Sequence, residues 1–207
     1  LTGGGGNDTF NIDSGADTVN DLATGDDLVV SSGATANAIN IASFVADSDT
    51  TNLGTVNLTA RAAGGSIDMS SAGGSASYNL ISGAGTDTLK GDAGDDTFTI
   101  AAAGEGNNDT FDGDGGNDTL QLSTGTHTLN NDARLSNVET IVANSSGSTL
   151  ILTNQAEGIT ISGGAGTDNF TGGSGADVIT GGAGNDTFAG GAGNDTFNID
   201  SGTDTVS

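Results

Sequence analysis

From Gly163 the chain reads G-G-A-G-T-D-N-F-T, G-G-S-G-A-D-V-I-T, G-G-A-G-N-D-T-F-A and G-G-A-G-N-D-T-F-N, and a weaker copy, I-D-S-G-T-D-T-V-S, runs to Ser207. Nine residues separate each copy from the next. Aspartate recurs at Asp168, Asp177, Asp186, Asp195 and Asp204, and an apolar residue follows two places later at Phe170, Ile179, Phe188, Phe197 and Val206. A fixed short period is the signature of a repeat architecture, in which each unit buries its apolar face only against its neighbours.

Two further runs keep the same rule. Near the start, Asp8 and Asp17 go with Phe10 and Val19; in the middle, Asp87, Asp96, Asp109 and Asp118 go with Leu89, Phe98, Phe111 and Leu120. A four-residue slip falls between Asp96 and Asp109, around Ala101–Glu105. Six of the seven phenylalanines occupy the apolar slot, Phe44 being the exception. Counting back by nines from Phe170 reaches Ile161 and Leu152, and forward from Phe111 reaches Leu129 and Val138. Between Ile39 and Leu80 the pairs Ile39/Ile41, Val56/Leu58, Ile67/Met69 and Tyr78/Leu80 alternate with polar residues, as short strands with one face inward do.

Composition sets the problem that this pattern must solve. The 207 residues include 37 glycines and no proline or cysteine, and 27 acids face 3 bases for a formal charge of −24. Of the acids 24 are aspartates, the short carboxylate suited to turns and to hard cations. So much glycine and like charge, with so little apolar surface, either leaves a chain unfolded or requires stabilisation from outside the polypeptide.

The nonapeptide resembles the RTX (repeats-in-toxin) motif G-G-x-G-x-D-x-U-x, with U apolar. That resemblance implies a turn over the first six residues, a short parallel strand over the last three, and two nonapeptides per coil of a β-roll. The fold expected is all-β: a right-handed parallel β-solenoid of about ten coils, roughly 50 Å long by strand spacing, with RTX β-roll coils alternating with larger β-helix coils that bind no calcium. RTX coils are assigned to 1–29, 82–121 and 163–207, and larger solenoid inserts to 30–81 and 122–162.

In such a stack, aspartates of adjacent coils lie one strand spacing apart, about 4.8 Å. Two like charges at that distance repel by about 3 kcal/mol at an effective dielectric of 20. A divalent cation between them reverses the sign, and calcium takes six to eight oxygens in flexible geometry. The metal ligands expected are Asp8, Asp17, Asp87, Asp96, Asp109, Asp118, Asp168, Asp177, Asp186, Asp195 and Asp204. The expected pairs are Asp168/Asp186, Asp177/Asp195, Asp186/Asp204, Asp87/Asp109 and Asp96/Asp118. The resemblance adds main-chain carbonyls at the second and fourth positions: Gly164, Gly166, Gly173, Gly175, Gly182, Gly184, Gly191 and Gly193. Asp27, ten residues after Asp17, is a lesser candidate, and the copies starting Ile12-Asp13 and Ile199-Asp200 lack the leading glycines of a full site.

Several functions are disfavoured. The one histidine, His127, sits in a Ser/Thr-rich stretch, reads as a surface residue on a coil, and has no HExxH or GxSxG context; no enzyme is expected. Arg61, Lys90 and Arg134 are too few to meet nucleic acid phosphates. No apolar run of about 18 residues crosses a membrane, and no basic n-region with an apolar h-region stands at the start. The resemblance implies an extracellular or bacterial cell-surface location with export through type I secretion. Threonines before the apolar slot (Thr9, Thr18, Thr88, Thr97, Thr110, Thr119, Thr187, Thr196, Thr205) admit an ice- or surface-binding face, and RTX repeats also form the tails of secreted enzymes and toxins. Gly3–Val19 and Gly190–Val206 differ only at Gly5/Ala192 and Ala16/Thr203. That echo, with a loose similarity of Leu135–Ile141 to surface-layer and adhesin solenoids, favours a structural repeat. Tandem continuation or self-association is then expected, together with cell-surface or matrix contacts.

Overall fold

Threonine, β-branched and aromatic residues around each apolar slot suit short half-buried strands, and the Gly-Asp turns between them end each strand after a few residues. The structure, a computed structural model, describes residues 1–102 and 105–207. Among them are 23 strands and no helix. The Ala101–Glu105 slip lies partly outside the described residues, at 103–104.

Every strand pairing is parallel, and successive strands alternate between one long sheet and a set of shorter ones. The long sheet has ten strands, from Ala16–Val19 through Thr97–Ile100 and Thr119–Gln121 to Thr196–Asn198. Three shorter sheets complete the coils. The first joins Thr9–Ile12, Asp27–Val30 and Thr51–Asn52. The second runs Ser43–Val45, Ser66–Asp68, Thr88–Lys90, Thr110–Asp112, Leu135–Ser136. The third runs Gly125–Thr128, Ser148–Ile151, Asn169–Thr171, Thr187–Ala189, Thr205–Val206. This is a β-solenoid of about ten turns.

Coil length explains where the shorter sheets hand over. Strands 18 residues apart pair in the C-terminal run (Val178 with Thr196, Thr187 with Thr205), which is two nonapeptides per coil. The slip lengthens one coil to 22, on both sides: Thr88 pairs with Thr110 and Thr97 with Thr119. At the changeovers coils are longer still, Ser43 pairing with Ser66 and Phe111 with Leu135. Each of these long coils carries two strands outside the long sheet, one pairing backward and one forward.

The core is a single cluster of inward side chains contributed by the long sheet and by the shorter sheets facing it. Phe98, Phe111, Phe170 and Phe188 are fully buried, and Leu129, Val138, Leu152 and Ile161 join them, as counting by nines predicts. Phe188 stacks between Phe170 and Phe197, with centroids 6.2 Å away on either side, and Phe98 meets Phe111 edge-on at 5.9 Å. Phe44, outside the repeat pattern, is also inward and fully buried. Two expectations need correcting. Ile39 does not pair inward with Ile41: it is exposed, because the register shifts between Ala38 and Ile41 and Asn40 adopts a left-handed φ of 63°. His127 is not on the surface either. It points into the core opposite Leu150, with its ring nitrogens 2.9 Å from the Ser123 carbonyl and 3.3 Å from that of Glu105.

Candidate functional site

Except for Asp17, which lies inside Ala16–Val19, the sixth residue of each nonapeptide immediately precedes a strand, so parallel pairing of the strands stacks those residues from coil to coil. Burial follows from this placement. Asp87, Asp96, Asp109, Asp118, Asp168, Asp177 and Asp186 are all buried at the turn edges. The first glycine of the repeat makes room for the carboxylate: a Cβ at Gly91 or Gly181 would run into the carboxylate of Asp96 or Asp186.

One contact repeats along every ladder. The backbone N–H of a sixth-position residue donates to Oδ1 of the aspartate one coil later. Asp168 donates to Asp186 at 2.8 Å, Asp177 to Asp195 at 3.0 Å and Asp186 to Asp204 at 3.0 Å. Asp87 donates to Asp109 at 2.8 Å and Asp96 to Asp118 at 2.7 Å. The structure therefore brings together all five pairs named from the sequence. It does not give Asp17 an acidic neighbour, since Asp17 lies beside Ala36. Asp8 donates to Asp26, 3.0 Å away, so the buried Asp26 rather than Asp27 takes the ladder position. Asp27 faces outward with Asp47 and Asp49, their carboxylate oxygens within 4.8 Å of one another.

Two further acids escaped the sequence reading. Glu139 accepts the N–H of Asp118 at 2.7 Å and so stands where the next aspartate would be. Asp92, at the second position of its repeat, is buried with Oδ1 on the Gly94 N–H at 2.7 Å. The signal for Asp26 was in the sequence, nine residues after Asp17, where the doublet with Asp27 masks it. Glu139 follows Asp118 by 21 residues and carries a different side chain, so a nine-residue count passes it by.

Among the glycines, the carbonyls of Gly164 and Gly173 accept N–H groups from Ala183 and Ala192 one coil on, at 2.9 and 3.0 Å. Those of Gly166 and Gly175 face Gly184 and Gly193 so closely that a Cβ there would collide with them. Asp13 and Asp200, in the copies without leading glycines, make peripheral contacts: Asp13 accepts from the Ser31 hydroxyl, and Asp200 from the N–H groups of Gly182 and Ser201.

Burial is expensive for carboxylates crowded in this way. It lifts Asp96 to about 7 against the N–H groups of Tyr78 and Asp92, which lower it, and the charges of Asp92 and Asp118 add to the rise. Asp118 also reaches about 7, chiefly through burial, with Glu139, Asp95 and Asp92 adding to it. Asp109 is lifted to about 6 by burial and by Asp87. Asp87, Asp92 and Asp168 are raised for the same leading reason. Among the described residues the basic side chains relieve the ladders little, the charge of Arg134 lowering Asp109 as the smallest of its influences. Lys90 pairs with Asp112 and Asp114 at 3.3 and 3.0 Å, on an outward column. Arg61 donates to the Gly64 carbonyl and Arg134 to that of Asn107.

A cation fits here on the structure's own terms. Buried carboxylate oxygens on Asp92, Asp109, Asp118, Asp186 and Asp204 find no hydrogen-bond partner among the described residues. Buried polar atoms of this kind call for a ligand. The donors at the turn edges are carboxylate and carbonyl oxygens, a hard set that suits calcium rather than a transition metal.

Fold and site together define a parallel β-solenoid whose turns are strung with stacked carboxylates. The family model for the RTX calcium-binding nonapeptide repeat matches residues 1–19, 79–99, 102–125, 162–197 and 171–206, and the chain belongs to that family. No curated protein and no solved structure matches it.

Proposed function

We propose that this chain is a calcium-stabilised structural repeat of a secreted bacterial surface protein, extending a filament, surface layer or adhesin stalk by end-to-end continuation of the solenoid. The observation that carries the reading is the stack of buried, partnerless carboxylates on a fold whose sheets all run along one axis. Such an axis has nearest-neighbour contacts only, so length is added coil by coil without remodelling the rest. The near-copy of Gly3–Val19 at Gly190–Val206 supports tandem continuation.

A structural rather than catalytic role agrees with the placement of His127, buried between two main-chain carbonyls. All three basic side chains are engaged within the fold, which weighs against a nucleic acid partner. Among the described residues no helix is long and apolar enough to cross a membrane. Calcium affinities of extracellular modules are on the order of 10⁻⁴–10⁻³ M. That range keeps such a chain extended in a cytosol and folds it outside, consistent with export through a narrow channel.

The test is circular dichroism with light scattering through a calcium titration, with magnesium as control. Cooperative gain of β signal with calcium alone is expected. A chain equally folded in chelator would remove the calcium requirement and with it this reading.

A further inference from the structure

The stacked turns are of two kinds. In four of them the second carboxylate oxygen, Oδ2, is fastened by an N–H of its own turn, four residues back. Gly83 donates to Asp87 at 2.9 Å, Asp92 to Asp96 at 2.8 Å, Gly164 to Asp168 at 3.1 Å and Gly173 to Asp177 at 2.9 Å. These four share a place in the fold: each is the first turn of a ladder in the middle or C-terminal run. In the N-terminal Asp8/Asp26 ladder it is instead the second turn, Asp26, whose Oδ2 takes an N–H of its own turn, that of Ala23 at 2.8 Å. The Oδ1 atoms of the four take N–H groups from Gly65, Tyr78, Ser148 and Ile159, positions where the preceding coil carries no acid. Each oxygen of these four first-turn aspartates thus accepts a backbone N–H.

In the turns that follow, Oδ2 of Asp109, Asp118, Asp186 and Asp204 is buried and has no partner among the described residues. For Asp118 and Asp186 the backbone gives the cause. The second-position residues Asp114 and Gly182 are left-handed, with φ of 67° and 89°. Their N–H groups turn away from the ladder, to Asp112 at 3.2 Å and Asp200 at 3.1 Å. The third-position N–H groups of these turns bind back to the first turn instead, Gly115 to the Asp92 carbonyl at 3.1 Å and Ala183 to the Gly164 carbonyl at 2.9 Å. The first turn therefore spends a second-position carbonyl on the protein as well as its carboxylate oxygens.

We propose that calcium is taken at those later turns of the middle and C-terminal ladders whose Oδ2 is free, through Asp109, Asp118, Asp186 and Asp204, and that the first turns closed by Asp87, Asp96, Asp168 and Asp177 are metal-free seats on which the ladder is built. The proposal rests on the calcium reading above and divides its ligands into two classes. A first-turn Oδ2 already spends one of its two lone pairs on a charge-assisted N–H bond, which lowers its donor strength and fixes its direction. A free later-turn Oδ2 keeps both for an ion.

Asparagine substitution separates the classes. In Asp118→Asn and Asp186→Asn the amide oxygen still accepts the N–H of Asp96 or Asp168, and the amide nitrogen takes the partnerless place. These variants should fold in saturating calcium and bind fewer ions per chain by equilibrium dialysis. In Asp96→Asn, Asp168→Asn and Asp177→Asn the amide nitrogen must meet a backbone N–H. These should lose melting temperature and, wherever circular dichroism shows them folded, keep the wild-type ion count. A wild-type count in folded Asp186→Asn and Asp118→Asn overturns the division by itself, as does an equal loss of ions in folded first-turn variants. A wild-type chain that binds no calcium at all fails earlier, and takes the calcium reading down with it.

Discussion

Asp96 and Asp118 titrate near 7 and Asp109 near 6 when no cation stands beside them, because burial disfavours their charged form. An unfolded aspartate titrates near 3.9. The folded chain therefore holds protons that the unfolded chain has released, and stability falls with pH wherever that is so. The stabilisation is fully present below about pH 4 and is lost as pH rises through the folded values of about 6 and 7. Thermal melts of metal-stripped protein should accordingly show a melting temperature that drops between these limits. Calcium competes with the protons on Asp109 and Asp118, so the increment that it adds should grow over the same range. A metal-stripped protein that becomes more stable toward neutral pH would contradict the assignment. Asp118→Asn, which removes one of the raised groups while keeping its Oδ1-type acceptor, should flatten the upper part of the curve.

Single strands here are too short to stand alone, and their stability comes from stacking against the coils on either side. Phe188 shows this best: it is fully buried, with an aromatic neighbour in the coil before it and another across the core. Phe188→Ala should destabilise the calcium-loaded protein by about 3–5 kcal/mol, read by denaturant unfolding, while Phe197→Ala, at a partly buried position, should cost distinctly less. Equal losses would mean that the core is not graded along the axis. The same strands show what the sequence could tell. Phe98, Phe170 and Ile179 were legible as core because nine residues make half a coil, so the period of the sequence is the period of the packing. Ile39 was not, because the left-handed turn at Asn40 shifts its strand by a residue without disturbing the alternation on either side. The acid pairs could be read by the same count, and Glu139 could not, since it enters the ladder through a longer side chain and an irregular coil. The division between fastened and free carboxylates was out of reach, because it lies in backbone N–H directions that G-G-x-G leaves open.

Across the whole molecule, the echo between the two terminal segments acquires a geometric meaning. Phe10 belongs to a short sheet, pairing with Leu28, whereas its counterpart Phe197 belongs to the ten-stranded sheet, pairing with Ile179. Val19 and Val206 are exchanged in the opposite sense. One period of the echo thus contains an odd number of half-coils. If the solenoid continues with that period, the segment equivalent to Asp27–Val30 adds to Thr196–Asn198, as Asp27–Val30 itself adds to Thr9–Ile12. A strand of the short-sheet kind would then extend the ten-stranded sheet, and each unit would be turned by half a revolution about the axis relative to the last. Lateral features of one unit, such as the exposed turn at Leu53 (77% accessible), would project alternately to either side. A fusion in which Gly190–Val206 of one copy serves as Gly3–Val19 of the next puts this to the test, with Leu53→Cys in both copies carrying a gold label. Electron microscopy in calcium should show a single rod with labels on opposite sides. Labels on one side would leave continuation intact and refute the half-turn, whereas two separately tumbling rods would refute continuation itself.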